Sequence, residues 1–428
     1  MKQLKTTEIL EVFVLCMAIV FVVLGTHAKS FGDTANSRLA TVYGLTKHGT
    51  WFIDRPIDED PNPFEQRTID KVVVPGRGML SSKPPMLPLF MTAEYVAFNT
   101  LFGWDLDDKD DTNACIRWMS LTLIGGAYMI ALVLFGRSLR WYIADPVVRA
   151  MMLATLAFGT QLWGYSTNIN NHVPGAGMMV LSAYLALGMC TGNLSPTPWR
   201  FFLFGLAGGL TFTLDMPATV FVALAGVALL VKYPKQTLAW TTAGVLIPLA
   251  VHFAIMVAIT GSPLPVQMRK ELYLSEMSYW RHPIQIDALN EPKTTYLFHM
   301  TFGRCGLFSL FPILLAGVVG TVMALRNRET FCRKAILLGA LGFAILTAYY
   351  VRGTNNYGGE AYGFRWYIVA APILLWMGAP LFAALRSRWR WIFVAVLVGV
   401  SFYSAWECTK WPWSARHEWT CRFLGKSY

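Results

Sequence analysis

The opening of the chain reads ILEVFVLCMAIVFVVLGT over residues 9–26 and HAKSFGDTANSRLATVYGLTKHG over residues 27–49. The first stretch is apolar on every side and long enough to cross ~30 Å of hydrocarbon as a helix. Lys2 and Lys5 precede it, and Thr26-His27-Ala28 imitates a signal cleavage site, but its length favours a retained span. The second stretch changes character at once. Ala35, Leu39, Val42 and Thr46 fall at helical spacing behind Phe31-Gly32-Asp33 and stop at Gly49, which describes a short amphipathic helix lying on the membrane surface. A span that hands the chain to a surface helix decides how the rest is read.

The same apolar runs recur along all 428 residues, of which 55% are apolar and 14% charged. That balance excludes an ordinary soluble domain. Unpaired backbone groups are costly in lipid, so the spans must be helical. They are drawn at 9–26, 117–136, 148–166, 173–191, 201–214, 218–231, 239–260, 306–325, 335–351, 366–385 and 391–407, about eleven crossings. Arg137, Arg140 and Arg149, then Arg200, Lys232 and Lys235, Arg326 to Lys334, and Arg386 to Arg390 fall on every second connection. The positive-inside rule makes those linkers and the N-terminus cytoplasmic, and the net charge of +11 gathers on that face. Scattered short basic loops form no groove for nucleic acid, so no nucleic-acid partner is expected.

Residues 84–103 break the alternation, because counting them as a span would carry the Arg137 to Arg149 linker outside. Pro84, Pro85 and Pro88 at the start and Glu94 in the middle suit an interfacial helix instead. The expected fold is an all-α polytopic bundle, a single transmembrane domain over residues 1–428. Its exoplasmic side carries a first loop at 27–116 with juxtamembrane helices, a second at 261–305 and a tail at 408–428.

Candidate chemistry gathers on that side. Asp33 reads either as a helix N-cap or as a general base. Lys83, in GRGMLSSKPPMLP (76–88), either snorkels toward headgroups or neutralises a lipid phosphate. RGTNNYGGEAYGFRWYIVAAP (352–372) is dense in polar and aromatic groups, and its Arg365 lies within a turn of the hydrocarbon, where ionisable groups generally have a partner or a task. Asn168 to His172 and Asp215-Met216-Pro217 sit at exoplasmic helix ends. His172 alone is more often a hydrogen-bonded interfacial residue than a ligand, and Asp215 serves equally as a helix initiator before Pro217. Asp54, Asp58, Glu59, Asp60 and Asp70, and the run Asp105 to Asp111, lack the spacing of an oxygen-ligand cation site and read as solvated loops. The seven cysteines show no metal spacing. Cys408 and Cys421 share the tail, where an oxidising compartment would permit a disulfide.

In order along the chain, Asp33, Arg38, Gly49-Thr50-Trp51, Ser82-Lys83-Pro84-Pro85, Asn171-His172-Val173-Pro174, Gly205 to Gly209 running into Asp215-Met216-Pro217, Gly306-Leu307-Phe308 with Pro312, and GGEAYGFRWY (358–367) together resemble the GT-C glycosyltransferase superfamily, in the group that includes aminoarabinose and mannosyl transferases. Asp33 is followed by Thr34, where the best-studied relatives have a second acid. The resemblance implies inverting transfer of a hexosyl or pentosyl group from a polyprenyl-phosphate donor to an exoplasmic glycan, lipid or protein acceptor, in a bacterial inner membrane. It implies Asp33 as base and Lys83 and Arg365, with Arg304 and Arg352, as binders of the donor phosphate. Arg38, His172, Asp215, Glu360 and Tyr362 would line the cavity. No metal ligand set is implied, although a divalent cation remains a possible cofactor. The alternative is a non-catalytic binder or flippase of lipid-linked glycans.

Overall fold

A computed structural model of the chain describes residues 6–54, 61–276, 278, 291–354, 356–414 and 418–424. Asp58, Glu59 and Asp60, weighed above as cation ligands, lie outside the described residues, as does much of the second long loop.

The chain enters through α1 (Thr6–Gly25) and passes at Gly32 into α2 (Gly32–Lys47). A hairpin of β1 (Lys71–Val74) and β2 (Gly78–Ser81) follows, paired antiparallel with Lys71 opposite Ser81. Gly76 and Gly78 take positive φ in its turn, and a Cβ at Gly78 would stand 2.8 Å from Asp54 Oδ1, so the turn needs glycine there. The helix α3 (Met86–Phe102) starts directly behind Lys83-Pro84-Pro85, and its buried face, Met86, Leu87, Met91 and Tyr95, packs on α2 and α4 (Lys109–Leu139). It is not among the helices long and apolar enough to cross a membrane.

The acidic run ahead of α4 has structural tasks that a solvated loop would not. Asp108 caps α4 by accepting from the Asp110 and Asp111 amides, and Lys47 bridges Asp105 and Asp107 at 2.6 and 2.7 Å.

The remaining helices are α5 (Pro146–Phe158), α6 (His172–Thr191), α7 (Pro198–Leu214), α8 (Met216–Lys232), α9 (Pro234–Thr260), α10 (Lys293–Thr301), α11 (Pro312–Arg326), α12 (Arg333–Gly353), α13 (Arg365–Ala383), α14 (Arg388–Lys410) and α15 (Trp419–Leu424). Among the described residues seven helices, α1, α4, α6, α9, α12, α13 and α14, are long and apolar enough to span, and α5, α8 and α11 are shorter apolar helices. The protein is a multi-pass membrane protein. A Cβ at Gly205 would fall 2.1 Å from the Thr241 carbonyl, and one at Gly244 2.1 Å from the Phe202 carbonyl. Such contacts let α7 and α9 approach backbone to backbone, the way helices associate where water supplies no hydrophobic drive.

The stretch drawn as a span at 148–166 is only half a helix. It ends at Phe158, and after a single helical turn at Gln161–Gly164 residues 165–170 run irregularly through the buried interior. Non-helical backbone at this depth is tolerated because protein surrounds it. The last span drawn, α14, also reaches farther than drawn, to Lys410. Cys408 therefore lies inside α14 against Gly164, while Cys421 donates to Glu418 at 3.1 Å, and no disulfide joins the two in this structure.

Candidate active site

The site is assembled where α1 leaves the bundle. The tail after α14 returns to this same end, since His27 Nε2 meets the Thr409 carbonyl at 3.1 Å and Trp413 packs against Gly32. First loop and tail thus share one face, as the alternation of spans requires.

Asp33 opens α2 but does not cap it: the capping position is Phe31, and no side chain caps the helix. Its carboxylate instead accepts from the Ile69 amide at 2.8 Å, while its carbonyl accepts from Thr68 Oγ1 at 2.8 Å. The β-hairpin is thereby tied to the helix start. Ser37, one turn on, donates to the Asp70 carbonyl at 2.6 Å and shares a hydrogen bond with Ser81. With Lys71 opposite Ser81 in the ladder, Asp70 falls beside Ser82, and the Ser82 amide donates to its carbonyl at 3.0 Å. Lys83 follows, and its ammonium pairs with Asp70 Oδ2 at 2.7 Å. The hairpin is the device that sets Lys83 near Asp33.

Arg38, only 1% exposed, points its guanidinium to the Thr34 carbonyl at 2.8 Å and to Asn171 Oδ1 at 2.6 Å, leaving its Nε without a hydrogen-bond partner. Asn171 in turn donates to the Leu214 carbonyl, which joins α2 to the start of α6 and the end of α7. His172 and Asp215 meet there at 2.7 Å, both buried. A Cβ at Gly175 would fall 2.6 Å from that of Asp215, so glycine permits this approach. Arg365 stacks over Trp413 of the tail, 4.8 Å from the ring centroid.

Charge ties these groups into one field. Burial pushes the Asp33 carboxyl above its ordinary value; Asp70 adds to the rise, while the Ile69 amide and Lys83 oppose it. Burial holds Lys83 below the usual lysine range, against the pull of Asp70 and with the help of Arg365 and Arg38. Arg38 is lowered to about 10, chiefly by burial, with Arg365 adding to the effect and Asp70 opposing it. Arg365 and Arg38 also act on His172. The structure therefore gathers Asp33, Arg38, Lys83, His172, Asp215 and Arg365 around one centre.

It does not bring the other candidates there. Arg352 and Glu360 are exposed. Arg304 lies in a second network, facing Glu291 at 3.3 Å and the Tyr357 ring at 5.0 Å. Tyr362 donates to Glu407 at 2.9 Å inside the packing of the tail. Glu418, fully buried, accepts from the Gly363 amide and is pushed up to about 8 by burial. Among the described residues no three His, Cys, Asp or Glu side chains are grouped to hold a metal ion.

Trp413 was not anticipated, and Asp70 had been set aside with the loop acids. Its signal was the Gly76-Arg77-Gly78 turn behind three valines, which announces a hairpin and so the pairing of Asp70 with the Ser82-Lys83 strand end. Gln161, Thr167 and Asn168 also line the interior with buried polar atoms that have no partner. A crevice of about 10 Å³ beside Lys83 is lined by Thr41, Trp51, Pro85 and Met256, without Asp33 or Arg365.

Two solved structures of the Archaeoglobus fulgidus oligosaccharyltransferase share this architecture. The apo form is 13% identical with a TM-score of 0.52, over 94% of this chain and 56% of the other. The form tethered by a disulfide to an acceptor peptide with the NVT sequon is 14% identical with a TM-score of 0.55, over 93% and 54%. This chain has the GT-C fold. Apo ArnT from Cupriavidus metallidurans is also similar, at 15% identity and a TM-score of 0.46 over 90% of this chain and 61% of that one. The chain spans little more than half the length of the oligosaccharyltransferase structures it matches. No protein-family model matches the sequence, and no curated protein does.

Proposed function

We propose that this GT-C chain is a glycosyltransferase, moving a sugar from a polyprenyl-phosphate donor to an acceptor on the exoplasmic side of a bacterial inner membrane, with inversion. The observation that supports this most is the meeting of one proton-accepting carboxylate with three cations at the membrane end from which α1 emerges. The acceptor nucleophile attacks the anomeric carbon, the bond from that carbon to the phosphate oxygen breaks, and the electron pair leaves with polyprenyl phosphate. Asp33 takes the acceptor proton, and its raised proton affinity makes it a better base than a solvated aspartate. The leaving group is already a stable anion, so Lys83, Arg38 and Arg365 stabilise its growing charge without giving it a proton. Asp70 holds the Lys83 ammonium until the phosphate takes that contact over. The unpartnered amides of Gln161 and Asn168 would meet sugar hydroxyls, which buried polar atoms need as partners.

Asp33→Asn tests the base while keeping the shape of the side chain. Transfer should fall by roughly 10²–10⁴-fold, with donor affinity retained; undiminished transfer removes Asp33 from the role. A binder or flippase would release no free polyprenyl phosphate from a labelled donor, so that measurement separates the two readings. Lys83→Ala should raise the donor KM more than it lowers kcat, because the phosphate is bound before reaction as well as during it.

A further inference from the structure

A large cavity lies away from this centre. It holds about 960 Å³ and lies at the other end of the bundle, between α4, α6, α8, α12 and α13. The helix α6 shows the separation: His172 begins it at the candidate site, and Cys190 and Thr191 end it at the cavity. The volume is at the upper end of the roughly 300–1,000 Å³ common for ligand pockets. Nothing in the proposed transfer uses it.

Three properties of the cavity specify an occupant. Its walls are apolar, formed by residues such as Phe135, Val180, Phe221, Leu224, Leu338 and Trp376. Its charged lining residues are Lys232, Arg333 and Lys334, all at one end, with no carboxylate among the residues around it. Along α8 it runs from Lys232 back to Phe221, which at ~1.5 Å per residue is about 16 Å, roughly the depth of one bilayer leaflet. A free apolar solute would not call for the cations, and a soluble anion would not call for the apolar depth. A lipid with an acidic head satisfies both. Val231 at the rim is 81% exposed, so the cavity faces the surroundings of the bundle and not only its interior.

We infer that this cavity binds an anionic glycerophospholipid of the basic-side leaflet, its phosphate held by Lys232 and Lys334 and an acyl chain laid along α8 toward Phe221. Lys232 is anchored for this by donating to the Cys190 carbonyl and lying 5.3 Å from the centroid of the Tyr233 ring. Arg333 is turned inward to the Ala324 carbonyl at 2.8 Å, which leaves the two lysines as the exposed cations of the rim. The inference stands apart from the transferase reading and survives its failure.

The test is native mass spectrometry of the purified full chain titrated with phosphatidylglycerol or phosphatidylcholine. One phosphatidylglycerol should be retained about tenfold more tightly than phosphatidylcholine. Lys232→Gln with Lys334→Gln should erase the preference, and Ala183→Phe with Ala228→Phe, which fills the walls, should remove the bound lipid. Equal retention of the two lipids overturns the proposal, as does a preference that persists in the lysine pair variant. Displacement by polyprenyl phosphate with the same dependence on Lys232 and Lys334 overturns the choice of lipid. Should the filled variant fail to fold, the lysine variant decides alone, since both side chains are exposed at the rim.

Discussion

Buried ions stand at both ends of this bundle, and they are handled differently. At the basic end Glu11, buried within α1, accepts from Arg140 and Arg149 at 2.7 Å each, while Arg149 also donates to the Ile143 and Ala144 carbonyls. The charges of Glu11, Arg140 and Arg149 are answered by one another and by backbone carbonyls. At the opposite end Arg38 keeps an unpartnered Nε, Arg38, Lys83 and Arg365 repel one another, and burial raises the proton affinity of Asp33. A staple satisfies its charges within the fold, and a site leaves some for a ligand to satisfy. The first arrangement is stable alone, and the second is stabilised by an incoming anion.

The sharpest break between the two would come from arginine removal. Arg365→Ala should lower sugar transfer by about 10²–10³-fold, the usual scale for losing one preorganised electrostatic contact to a developing charge. Arg140→Ala should leave transfer per folded molecule within about twofold, its loss appearing in expression and melting temperature. Equal losses of transfer in the two variants would dissolve the distinction.

Stability should divide the other way. Glu11→Ala strands the buried Arg149, and breaking a buried pair costs about 3–5 kcal/mol. Asp33→Asn removes a carboxylate that its surroundings already disfavour, so the variant should melt at the wild-type temperature or above it while losing transfer. Thermal scans of the two variants measure this directly, and destabilisation of Asp33→Asn on the scale of Glu11→Ala would make Asp33 a structural residue.

The two ends were also unequally legible in the sequence. Spans and their basic linkers could be drawn because an apolar run of sufficient length has few alternatives to a membrane helix, and the staple end follows from the same signals. What failed there was local: the helix through 148–166 stops at Phe158, and α14 continues past Cys408. The site could be reached only through the resemblance, which supplied Asp33, Lys83 and Arg365 in order. The sequence put Arg365 ahead of Arg352 but kept Arg352 and Glu360 among the candidates, because exposure at a helix end depends on what packs over it. Trp413, from the tail, is what covers Arg365. Asp70 was missed for the opposite reason, since it stands at the end of the acidic loop and its partner lies across a hairpin.

A smaller effect follows from the acid limb of the pH profile. Asp33 must be ionised to take a proton, and its folded affinity is raised, so transfer should decline with falling pH at a higher midpoint than an ordinary aspartate of about 3.9 would give. Lys83 is held below the lysine range, so donor affinity should weaken toward alkaline pH earlier than a solvated lysine would allow. Asp70→Asn removes the carboxylate that raises Lys83 and adds to the rise of Asp33, and should therefore shift both limbs to lower pH. Rate profiles in which neither limb moves would show that Asp70 does not share their field.

The smallest effect concerns Glu418, which belongs to neither pattern. It is buried at the loop end as a carboxyl raised to about 8, and it holds the Gly363 amide two residues before Arg365. Its folded affinity for a proton exceeds that of the unfolded chain. The folded state therefore keeps a proton that the unfolded state has lost across the interval from the ordinary glutamate value of about 4.3 up to about 8. The stabilisation it gives is complete below that interval and disappears as pH rises through it. Glu418→Gln cannot ionise, so its melting temperature should fall less than that of the wild type between about pH 5 and about pH 8, by several degrees. Parallel curves would mean that Glu418 is ionised in the folded protein and compensated by Arg304, which would make it a second staple and move the contrast inside the loop end itself.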